Sequence, residues 1–166
     1  MEDFHKISIR GRYIYCYLCL RNIINIKGLE DIPEFVNTIL RSFTSSSRLD
    51  EWQSEVDEVM PSIVLDEKND ETYYKLISYE QILGLRRYYL ENKLVADTIE
   101  NLIWLGISNL YGGFKSSDTF QYVKKTINLV NDNRIELPDF SVISSCSVND
   151  RGGWGNPVSI DIFSKM

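Results

Sequence analysis

Apolar residues recur at spacings of three and four through most of the first 130 positions, the period of one helical face. Residues 12–26 predict a helix with Ile14, Leu18, Ile23 and Ile26 inward and Gly28 ending it. In "DIPEFVNTILRSF", Asp31 and Glu34 read as a capping pair and Pro33 suits a first turn. Phe35, Val36, Ile39, Leu40 and Phe43 mark the buried face. Ser47 is placed to cap a third helix, with Leu49, Trp52, Val56, Val59 or Met60, and Ile63 along one side; Pro61 kinks or ends it. Residues 66–70 read as a loop. Ser78 and Gln81 form a capping-box pattern ahead of Ile82, Leu85, Tyr89 and Leu90, which pack inward, while Arg86, Arg87 and Tyr88 face at least partly outward.

The most apolar helix follows, with Leu94, Val95, Ile99, Leu102, Ile103, Ile107 and Leu110; it is expected at the centre, stopped by Gly112 and Gly113. Phe120, Val123, Ile127 and Val130 line one more amphipathic helix. After Asn133 the period changes. Phe140, Val142, Ser144, Cys146 and Val148 alternate, as do Val158, Ile160 and Ile162, which argues for strands. The expected fold is therefore mainly α: a compact bundle of about six helices in one domain over 1–166. Residues 133–166 add a small C-terminal β-hairpin or turn extension, with a helix at 138–147 as the competing assignment.

Composition alters this picture little. At 166 residues, with 43% hydrophobic and 25% charged residues, the chain can bury a core without disulfides or metals. The longest apolar run, "YIYCYLCL" at 13–20, is far short of the roughly twenty residues that span a bilayer. The start, MEDFHK, lacks the basic-then-apolar pattern of a signal peptide. A cytoplasmic location and no membrane partner are expected. Cys16 and Cys19 form a C-x-x-C, but mid-helix on an apolar face, where packing outweighs redox chemistry. A zinc site from Cys16, Cys19, Cys146 and His5 lacks a second tight ligand pair, and no metal or cofactor is expected.

Charge alters it more. Residues 50–71 carry nine acidic side chains and one basic, and the rest of the chain has no acidic excess. Glu51, Glu55 and Glu58 follow helical spacing beside the apolar face, with Asp50 and Asp57 next to them and Asp66 and Glu67 in the following loop. Like charges so placed weaken an isolated helix by a few tenths of a kcal/mol per pair. Either this is a solvated face, or it meets a basic partner, whose encounter such a field speeds and selects. Phosphates would be repelled, so nucleic acid is not expected as a direct ligand.

Little in the sequence carries covalent chemistry. His5 is the one histidine and sits near the terminus, a poor base for a serine or cysteine nucleophile. Neither a phosphate-binding loop of the G-x-x-x-x-G-K type nor an H-E-x-x-H appears. A non-enzyme is expected; a carboxylate-dependent hydrolase stays open because acids are plentiful. The stretch "NDRGGWGNP", 149–157, is unlike the rest. It reads as a tight reversal that drops Trp154 onto the helices, or as a loop presenting Arg151, Trp154 and Asn156 to a partner.

Phe140-Ser141, Ser144-Ser145 and the Gly153-Trp154-Gly155 turn, behind a run of amphipathic helices, resemble a mostly α-helical family of bacterial immunity proteins from polymorphic toxin systems. The resemblance implies a cytoplasmic protein, encoded beside a secreted toxin, that binds and neutralises the toxin domain without catalytic residues of its own. A nuclease toxin would present a basic active site, which the 50–71 face could meet by mimicking nucleic acid. The alternatives are a helical adaptor in an unrelated assembly and the carboxylate hydrolase.

Overall fold

Seven α-helices make up most of the computed structural model, which describes residues 2–110 and 116–163. They are α1 (Ile9–Lys27), α2 (Glu34–Ser45), α3 (Leu49–Asp57), the single turn α4 (Pro61–Val64), α5 (Tyr79–Glu91), α6 (Lys93–Ile107) and α7 (Ser116–Asp132). The protein is a helical bundle. No helix among the described residues is long and apolar enough to cross a membrane.

The apolar periodicity explains the packing. α1, α6 and α7 pack on one another, and α6 is central, as its composition predicts. Val95, Ile99, Leu102 and Ile103 of α6 are buried, as are Ile14, Leu20 and Ile23 of α1 and Val123 and Val130 of α7. One cluster of buried side chains runs from Phe4 to Phe163. Ile26 and Leu90, expected inside, are instead exposed, whereas Tyr88 is buried and donates its hydroxyl to Glu30 O at 3.0 Å. An amphipathic phenol can bury its ring and still satisfy its hydroxyl.

Helix starts agree with the pattern only in part. The Ser78–Gln81 capping box forms, with Gln81 Oε1 accepting from Ser78 N at 3.2 Å. Asp31 does not cap α2; it pairs with Arg21 and accepts from Ile32 N, and the helix starts after Pro33. Ser47 does not cap α3, which follows Arg48 without a side-chain cap. Pro61 does not lie within α3. That helix stops at Asp57, and Pro61 opens α4, where its missing N–H costs nothing. Gly112 and Gly113 lie outside the described residues.

The C-terminal hairpin is not formed. Residues 140–143 and 160–162 are 3₁₀ turns, started by Asp139 and Ser159 side chains that accept from the backbone two residues on. Period two misled because serines and aspartates in these runs bond their own backbone, which competes with a ladder. A single antiparallel bridge, Ile7 to Ser147, joins the segment to the N-terminus among the described residues. The N-terminus is likewise ordered: Glu2–Lys6 is a 3₁₀ turn, Phe4 is buried, and the His5 ring lies 4.2 Å from that of Phe120.

α3 is anchored by one residue. Trp52 is buried, donates Nε1–H to Ile39 O at 2.9 Å, and packs on Phe43, itself stacked on Tyr13. Gly106 of α6 makes room, since a Cβ there would come within 2.5 Å of the Trp52 ring. With Trp52 and Val56 inward, Asp50, Glu51 and Glu55 of α3 face out.

Candidate functional site

The turn at 149–157 is joined through Arg10 to Ser46, just ahead of α3, and the acidic segment runs from the first turn of that helix onward. Its part beyond Asp57 is set apart from the turn by the roughly 13 Å length of the nine-residue helix.

The turn at 149–157 is built into the fold. Arg151, Gly152, Gly153 and Gly155 all have positive φ, of 46°, 61°, 96° and 84°. The turn closes with Gly155 N donating to Asp150 O at 3.0 Å. Its carbonyls face the start of α1. Trp154 O accepts from Arg10 N at 3.1 Å, and Gly155 O accepts from Arg10 Nη1 at 2.8 Å. Arg10 Nη2 continues to Ser46 O at 2.7 Å, joining the turn to the end of α2. Arg10 is buried, and its pKa is lowered, first by desolvation and then by the positive charge of Arg151. A side chain at Gly155 would run into Ser8, the N-cap of α1. The turn therefore satisfies donors that every helix start leaves open. Trp154 is half-buried against the core, not presented freely; Arg151 and Asn156 remain exposed.

The acidic segment divides. Glu58 does not belong to the outer face: it is 7% exposed, and its carboxylate accepts from Lys75 N at 2.7 Å and from Leu76 N and Ile77 N at 2.9 Å. It pins the loop after α4 to the end of α3. Asp50 and Glu51 are exposed and share Arg48, at 3.0 Å each. Asp66 is exposed and accepts from Lys68 N at 3.0 Å. Glu55, Glu67 and Glu71 are exposed, with no ion pair among the described residues.

Asp57 is different again. It is half-buried and lines a groove of about 600 Å³ with Gln53, Met60, Ser62, Ile63, Tyr73, Trp104, Ile107 and Ser108. Burial pushes its carboxyl pKa up, partly offset by a hydrogen bond with the Gln53 side chain. Gln53 Oε1 is buried and accepts no hydrogen bond from the described residues. Tyr73 and Trp104, 42% and 40% exposed, supply aromatic walls.

Trp104 is held in place. Its Nε1–H donates to Glu100 Oε1 at 2.8 Å, one helical turn back, and Glu100 also accepts from Ser62 N and Ser62 Oγ at 2.9 and 2.8 Å. The indole lies nearly parallel to the Tyr122 ring, with centroids 6.4 Å apart, and Lys125 Nζ sits 5.1 Å from that ring's centroid. A second groove, about 370 Å³, runs between α6 and α7 past Asp97, Glu100, Lys125 and Asp132. Both oxygens of Glu100 are taken up by Ser62 and Trp104, so it positions rather than reacts. What the larger groove offers is recognition: aromatic walls, an apolar floor and one carboxylate.

The C-x-x-C takes no part. Cys16 and Cys19 are fully buried in α1, and burial pushes both thiols up, Cys16 to about 12. Among the described residues no group of three or more His, Cys, Asp and Glu side chains is placed to hold a metal ion.

Sequence reasoning missed Tyr73, Trp104, Gln53 and the pair of buried arginines. A signal existed for Trp104: it sits off the buried face of α6, four residues after Glu100, so an aromatic was being kept outside. Arg12 gave none. It is buried within an apolar run, donates to Phe4 O at 3.1 Å and Thr119 Oγ1 at 2.6 Å, and lies 4.2 Å from the Phe120 ring centroid. Burial lowers its pKa to about 10.

In comparisons with known proteins the chain matches no family model, no curated protein and no solved structure.

Proposed function

We propose that this chain is an immunity protein that binds a basic toxin domain one-to-one and occludes it. The supporting observation is the outward acidic rim. Glu55, Glu67 and Glu71 are exposed with no ion pair among the described residues, and Asp57 of the same acidic segment lines a groove walled by Tyr73 and Trp104. Exposed acids without partners steer a basic protein toward this face, and aromatic residues at its centre supply the anchors that dominate interface energies. The contact surface is the C-terminal end of α3, α4, the following loop and the outer side of α6. Arg151, Trp154 and Asn156 lie at the other end of α3 and stand outside it.

Co-expression with the C-terminal domain of the neighbouring gene product tests this, scored by growth and co-purification. Rescue of growth with a one-to-one complex is the expected result. Rescue without a complex would replace binding by indirect or catalytic protection. Absence of both would leave a helical adaptor as the better description.

A further inference from the structure

We infer that the groove between the end of α3, the loop at Tyr73 and the end of α6 is a receptor for an arginine side chain of the partner protein. This deepens the immunity proposal and rests on it for the partner's identity, though not for the chemistry.

Each wall of the groove corresponds to one part of an arginine. Asp57 is a half-buried carboxylate with no cation beside it among the described residues, held by Gln53 one helical turn earlier. A guanidinium can donate two parallel hydrogen bonds to such a carboxylate. Trp104 and Tyr73 are partly exposed aromatic side chains lining the groove, the kind on which a planar cation stacks, and the Glu100 bond already fixes the indole. Met60, Ile63 and Ile107 form an apolar floor for the methylene stem. Gln53 Oε1 lacks a donor among the described residues, and the guanidinium has N–H groups left after pairing with Asp57.

Lysine fits less well. Its ammonium is compact and strongly hydrated, cannot stack as a plane, and gives the carboxylate no fork. The acidic rim would attract either cation from a distance, since screening leaves fields effective over about 8–10 Å. Discrimination between the two therefore belongs to the groove and not to the rim.

The test uses the full chain, isotope-labelled, titrated with Nα-acetyl-arginine amide and separately with Nα-acetyl-lysine amide. The Trp104 indole N–H and Gln53 side-chain amide NMR signals are the reporters. The expected result is a saturable shift of both signals with the arginine compound, about tenfold tighter than with the lysine compound. Asp57→Asn and Tyr73→Ala, each with an otherwise native spectrum, should each weaken it severalfold. Equal response to both compounds overturns the inference. So do shifts confined to Glu55, Glu67 and Glu71, or no shift at all. No toxin is needed, so this failure is separable from failure of the immunity proposal. A toxin domain that binds the two variants undiminished would reject the groove and keep the function. Arginine binding without any toxin complex would do the reverse.

Discussion

The turn at 149–157 and the groove beside α3 use similar residues to opposite ends. Both hold a tryptophan, charged side chains and backbone set in loops. In the turn these groups are consumed internally: two carbonyls bond Arg10, and Trp154 packs on the core. At the groove they are left open: among the described residues Asp57 has no cation and Gln53 Oε1 has no donor, and Trp104 and Tyr73 are partly exposed to solvent. A conspicuous sequence motif is thus a poor guide to function until its hydrogen bonds have been followed to their partners.

Gly155→Ala should break the turn and give the largest effect. The new Cβ requires φ near 84° and meets the Ser8 side chain, the cap of α1. A loss of about 3 kcal/mol is expected, combining backbone strain and overpacking. The urea midpoint would read it. A loss below about 1 kcal/mol would mean that the turn shifts freely and is less integrated than the Arg10 bonds imply. Glu58→Gln should follow, at about 2 kcal/mol, because an amide offers one acceptor where a carboxylate receives three backbone N–H groups. Hydrogen exchange at Lys75, Leu76 and Ile77 should rise with it. Unchanged protection there would show that the loop does not depend on this carboxylate.

The helical bundle was legible in the sequence, because burying one face of each helix imposes the three-and-four spacing directly. The C-terminal segment was not, since Ser141 and Ser159 sit in alternating runs yet belong to side-chain-started 3₁₀ turns. The acidic segment was legible as a stretch but not residue by residue. Helical spacing put Glu58 beside Glu51 and Glu55, but α3 ends one residue before it and the loop folds back over its carboxylate. The groove was legible least. Tyr73 and Trp104 are 31 positions apart in the sequence, and only the packing of α4 between the loop and α6 makes them walls of one space.

Charge reversal on the rim, Glu55→Lys with Glu67→Lys and Glu71→Lys, should separate binding from folding. These side chains are exposed and unpaired among the described residues, so stability should change by less than about 0.5 kcal/mol per site. Association with the toxin domain should slow at least about tenfold at low salt, and its salt dependence should flatten. Binding kinetics at two ionic strengths would decide it. An unchanged on-rate would remove the rim from the interface and restore it to a solvated face.

Asp57→Asn carries the smallest effect on folding. Burial raises the Asp57 carboxyl, so the folded chain keeps that proton to a higher pH than the unfolded chain does. Folding stability from this group therefore falls as pH rises from the ordinary carboxylate range through the raised value, and the deficit persists above it. Asn removes the charge and the deficit, so the variant should be slightly more stable than wild type at neutral pH and no more stable once Asp57 is protonated. Asp31, Asp50, Asp70 and Asp139 are lowered by hydrogen bonds to their ionised forms and act in the opposite sense, losing stability as pH falls. They are common to both proteins, so the difference between the two pH–stability curves isolates Asp57. Adding the arginine compound should shrink that difference, because a guanidinium favours the ionised carboxylate. A difference that persists at saturating arginine would place the cation somewhere other than Asp57.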